Sequence, residues 1–134
     1  MEGEPAVAVT SAGTWFGYND DQGCLLNPLA TYHLTGVQLI PAGGGSPKYV
    51  TFTPPTGGYL SGDPALAPDP QEPGSVLLAT LEDTAQGPGL AVYSVSPSLR
   101  VTKLPTPSIG KSPSDDKEFI ASDQGQHSPW SGRT

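Results

Sequence analysis

The chain has 134 residues, of which 17 are Gly and 16 Pro; only 14% are charged, 35% are hydrophobic, and the formal net charge is −7. This length sets one domain with a thin core, better suited to two layers of sheet than to a helical bundle. The Gly and Pro content excludes long helices, and the acidic balance repels phosphate backbones, so no nucleic-acid partner is expected.

The first strand pattern covers residues 6–10, with Val7 and Val9 on one face. A β-prone aromatic cluster follows at 14–18. Residues 19–23, Asn-Asp-Asp-Gln-Gly, form a turn signal. Residues 24–30 are apolar but carry Pro28, which suits an irregular connector or a single helical turn. The longest strand pattern covers 31–40, where Tyr32 and Leu34 differ in parity from Val37 and Leu39. A β-bulge or bend at Gly36 would bring all four to one face. Residues 48–53 return as a partner strand, with Val50 and Phe52 inward, across a loop tip holding Gly43, Gly44 and Gly45.

Residues 54–74 hold six prolines and four glycines and predict one long loop, with Tyr59 and Leu60 as its anchors to the core. Residues 75–104 predict a three-strand antiparallel meander. Its first strand, 76–82, is apolar on both parities, as a central strand is. Turns follow at 83–89 and at Ser96-Pro97-Ser98, and Leu99 and Val101 point inward. Residues 105–134 lose the pattern and read as a Pro/Ser-rich arm. The expected fold is all-β: a small antiparallel β-sandwich or barrel with long loops, its body at 1–104, and an extended C-terminal arm.

Charge is unevenly placed. Residues 1–99 hold nine acids and one base, a net of −8, whereas residues 100–134 hold five bases and four acids, a net of +1. The bases Arg100 and Lys103 therefore suit contact with an acidic partner or with a second copy of the body. Cys24 is the only cysteine, so no internal disulfide is available. Met1 is followed by Glu2, Gly3 and Glu4, the opposite of a basic signal-peptide start. No apolar stretch approaches the roughly 18 residues of a membrane span. A soluble protein made inside the cell, with no membrane contact, is the expectation.

Chemistry-bearing motifs are scarce. The Asn19 to Gly23 loop departs from the spacing of a calcium-binding hand. Cys24, His33 and His127 lack zinc-ligand spacing. There is no nucleophile elbow, phosphate loop or dinucleotide fingerprint. No enzyme activity, metal or cofactor is expected. The aromatics are the best binding candidates. Trp15 falls on the opposite parity to Phe16 and Tyr18, so the three either share a small core or leave one set exposed to stack on a partner. Phe119 and Trp130 lie in the arm, which has no core of its own. Trp130 therefore suits docking against a neighbouring subunit.

The acidic β-body at 7–104 followed by the arm at 105–134 resembles phage capsid decoration (cement) proteins and other small virion accessories. The likeness lies in overall character. It implies a structural protein made in the host cytoplasm and located in the virion. Its partners would be the major capsid protein or other virion subunits, and it would assemble as a homo-oligomer, often a trimer. The alternatives are a carbohydrate- or receptor-binding β-sandwich using Trp15, Phe16 and Tyr18, or a neck or tail component.

Overall fold

A computed structural model describes residues 3–20, 34–52, 58–85, 87–105, 119–125, 127–130 and 133–134. Several sequence expectations lie outside them: most of the turn at 19–23, the connector at 24–30, the start of the 31–40 strand, Cys24 and His33.

Eight strands form two antiparallel sheets, and the described residues hold no helix. The first sheet orders β1 (Gly3–Thr10), β2 (Gly13–Asn19), β3 (Thr35–Pro41) and β4 (Lys48–Tyr49). The second orders β5 (Tyr59–Pro68), β6 (Val76–Thr84), β7 (Gly87–Val95) and β8 (Val101–Lys103). Each sheet is a meander, so every pairing is local in sequence, and neither sheet closes into a barrel. The all-β sandwich expected from the sequence is the fold observed.

The core lies between the sheets. Trp15, Val37 and Leu39 from the first sheet meet Leu60, Val76, Leu78, Tyr93 and Val95 from the second. Val50 and Phe52 fold in after β4, while Tyr49 and Thr51 stay outside, as the alternation predicts. Phe52 meets Tyr93 edge to face, with ring centroids 5.8 Å apart. One polar tie crosses the core: Thr35 Oγ1 and Thr80 Oγ1 lie 2.6 Å apart, and Thr80 Oγ1 donates to the Gly62 carbonyl at 2.7 Å. Both hydroxyls are thereby satisfied without water, as buried polar groups require.

Two sequence expectations change. The 54–74 region is not one loop, because β5 occupies its centre. Its prolines sit where no ladder donor is needed. Pro64 falls in the register break between Gly62 and Ala65, and Pro68 closes the strand, which is itself an edge. The break is held from the other sheet: Asn19 Oδ1 accepts from the Asp63 amide at 2.7 Å, and Asn19 Nδ2 donates to Asp63 Oδ1 at 3.0 Å. This clamp supports the left-handed backbone of Asp63, at φ 51°. Leu60 anchors β5 in the core, as expected.

Gly36 carries no bulge. The β2–β3 register runs unbroken from Asn19 opposite Thr35 to Gly13 opposite Pro41. The parity conflict disappears because the strand begins after Leu34, whose amide instead donates to the Leu60 carbonyl at 2.7 Å. Gly36 is glycine for another reason: it stands opposite Tyr18, and a Cβ there would lie 2.3 Å from the ring. Gly36→Ala is expected to lower stability by about 1–3 kcal/mol through overpacking. Urea melts of the single variants and of the Gly36→Ala/Tyr18→Ala pair check this. The double variant loses less than the sum, because Tyr18→Ala removes the clash.

Val7 and Val9 share a face, as expected, and it is the solvent face, at 55% and 69% exposure. Ala8 points inward instead, opposite Trp15 in the register, because the indole fills the space a larger residue would need.

The 75–104 meander stands as expected, with β6 central and buried on both faces. Its first turn is tighter than expected, since pairing continues to Thr84 opposite Gly87.

Candidate functional site

Two outward faces carry the features that bear on function. The first is the outer face of the first sheet. Register and alternation place Val7, Phe16, Gln38 and Tyr49 in one row across all four strands. Val9, Thr14 and Ile40 form the next row. Tyr18 follows beyond Phe16 on β2. None of these side chains is charged at neutral pH. Val7, Val9, Ile40 and Tyr49 are exposed, with Tyr49 at 63%. An uncharged, largely apolar face on a chain of net charge −7 is the kind of surface that marks an interaction site.

The second is a groove of about 940 Å³ over the outer face of the second sheet. Its floor holds Leu77, Ala79, Val92 and Leu104, and its walls include Phe119 and Ile120 from the arm. One end is polar. Asp69 accepts from Ser94 Oγ at 2.7 Å and from the Gln71 amide at 2.8 Å. The arm is pinned beside it, with Ser122 Oγ donating to the Pro68 carbonyl at 2.5 Å and Gln124 Nε2 to the same oxygen at 3.3 Å.

The residues singled out from the sequence do not converge. Trp15 is fully buried, and its Nε1–H donates to Thr10 Oγ1 at 3.1 Å and to the Gly74 carbonyl at 3.2 Å, so it is part of the scaffold and offers no surface to a partner. Phe16 and Tyr18 are half-buried on the outer face of the first sheet. Arg100 lies on the groove wall, 3.2 Å from Glu72, in an exposed pair that contributes about 0–1 kcal/mol. Lys103 pairs with Glu82 at 2.6 Å and sits 6.0 Å from the Tyr93 ring centre. Phe119 is 94% exposed at the groove mouth. Trp130 is 59% exposed, stacked under Arg133 at 4.5 Å, and stays outside the core. Sequence reasoning placed Tyr49 outward but did not single out Val7, Val9, Ile40 or Tyr49 as binding candidates. The signal available was Ala8: a small residue between two valines marks the side facing a bulky neighbour.

Among the described residues, no group of three His, Cys, Asp or Glu side chains converges to hold a metal ion. Nor is any helix there long and apolar enough to cross a membrane.

Among the described residues, Tyr93 is the most strongly perturbed titrating group. Burial, with the Glu82 carboxylate adding to it, pushes its phenol up from 10.0 to about 12. The folded state therefore holds that proton more tightly than the unfolded chain does. Stability from this group is complete below pH 10 and is lost as the pH rises through 12. Ultraviolet titration of the tyrosines should show late phenolates, of which Tyr93→Phe removes the one near 12. Tyr59 also titrates late, raised first by its hydrogen bond to Asp83 and then by burial.

The chain matches no protein-family model, no curated protein and no solved structure.

Proposed function

We propose that this chain is a structural protein of a virus particle, of the phage capsid decoration (cement) type. In this reading it binds the capsid surface through the outer face of its first sheet. One observation carries the reading: the uncharged rows Val7–Phe16–Gln38–Tyr49 and Val9–Thr14–Ile40 line the outer face of the first sheet, with Val7, Val9, Ile40 and Tyr49 exposed. An uncharged sheet face suits burial against another protein, because no charge has to be stripped of water. The rest of the molecule supports a holding role. The sandwich is tied across its layers by Thr35–Thr80 and Asn19–Asp63.

A sugar-binding platform of coplanar Trp15, Phe16 and Tyr18 is not favoured, since Trp15 belongs to the core. The function is tested by gradient purification of particles from a culture expressing the gene. The chain should band with intact capsids in a fixed ratio to the major capsid subunit. A chain found only in the particle-free fraction would overturn the proposal.

A further inference from the structure

The groove over the second sheet is apolar along its floor and holds an unpaired charge at its polar end. Leu77, Val92 and Leu104 on the floor offer no hydrogen-bonding side chain. Asp69 lines the polar end, with only 7% of the residue exposed. Its Oδ1 accepts from the Gln71 amide at 2.8 Å and its Oδ2 from Ser94 Oγ at 2.7 Å. A carboxylate has about four acceptor positions, so these two donors use half of them. Both donors are neutral, and Asp69 takes part in no ion pair among the described residues. Arg100, the one base among the described residues lining the groove, is held by Glu72 at 3.2 Å. Buried charges are ordinarily paired. This one is not, and it borders a groove of about 940 Å³.

From these observations we infer that the groove binds a small amine with an apolar body, its ammonium on Asp69 and its body along Leu77, Val92 and Leu104. The two ends of such a ligand match the two ends of the groove. An ammonium brings the missing positive charge together with hydrogen-bond donors for the open acceptor positions of the carboxylate. An apolar body leaves water for a floor that asks for no polar partner. The volume of the groove falls within the roughly 300–1,000 Å³ of small-molecule sites. An anion of the same shape would meet Asp69 and Glu72 with Arg100 already engaged. The inference stands independently of any particle, because the groove lies on the second sheet and the proposed docking face on the first.

Isothermal titration calorimetry of the full chain near neutral pH tests it with octylamine, octanoate and octanol, which share one chain length and differ in head group. Octylamine should bind saturably, and octanoate about tenfold or more weakly than octylamine. Asp69→Asn should weaken octylamine about tenfold and leave octanol unchanged. Asp83→Asn removes the same charge outside the groove and should leave octylamine unchanged. Val92→Trp fills the groove from its floor and should abolish binding of octylamine and octanol. Thermal unfolding midpoints, read in parallel, show which variants are folded. The inference is overturned if octylamine shows no saturable binding or if octanoate binds as tightly, and both results need only the unaltered chain. It is equally overturned if octylamine binds folded Asp69→Asn or Val92→Trp as it binds the unaltered chain, or if Asp83→Asn loses as much as Asp69→Asn.

Discussion

Trp15→Ala should cost about 3–5 kcal/mol of unfolding free energy, a large share of the roughly 5–15 kcal/mol that holds a domain together. The size of the effect follows from position. Trp15 is fully buried, paired with Ala8 on one side and Leu39 on the other in the first sheet, and packed in the core shared with the second. Alanine leaves a cavity that rigid strands cannot close. The indole N–H also ends in a small network: Thr10 Oγ1 donates to the Gly74 carbonyl at 2.9 Å and itself accepts from the Ala12 amide at 3.2 Å. That network joins the β1–β2 turn to the loop before β6, and so one sheet to the other. Trp15→Phe separates the two contributions. It keeps most of the apolar volume and loses the donor, so it should fall between wild type and alanine. Chemical denaturation followed by circular dichroism gives the order, and a Trp15→Ala variant as stable as wild type would refute this account of the core.

The second large effect concerns binding and leaves the fold intact. Val9→Lys combined with Ile40→Lys is expected to weaken association with particles roughly 100-fold, about tenfold for each buried, unpaired ammonium. Both side chains point away from the core, so the thermal midpoint should stay within a few degrees. The matched Val9→Thr/Ile40→Thr variant keeps the β-branched shape without charge and should retain most of the binding. Full binding by the doubly charged variant would show that this face remains in water.

The strands that carried alternation or a strong apolar run were legible in the sequence. The pattern at 48–53 placed Val50 and Phe52 inward, and the two-faced apolar run at 76–82 marked β6 as central. What failed depended on long-range partners. β5 was hidden because its prolines are tolerated only at a register break clamped by Asn19, about forty residues away in sequence. Gly36 reads as a bulge or bend in the sequence because local parity cannot show that Tyr18 lies across it. The candidate face was half visible. Val7 and Val9 were grouped correctly, but their direction is decided by Trp15 opposite Ala8. The groove was less legible still, since Leu77 and Ala79 read simply as strand interior until Phe119 and Ile120 are placed beside them.

Hydroxyl-radical footprinting of the chain, free and bound to purified particles, tests the central claim most directly. If the outer face of the first sheet is the docking surface, Val7, Val9, Ile40 and Tyr49 are oxidised in the free chain and protected on the particle, while Arg100, on the groove over the second sheet, changes little. Unchanged oxidation of Val9 and Tyr49 in a chain that is demonstrably particle-bound would contradict it.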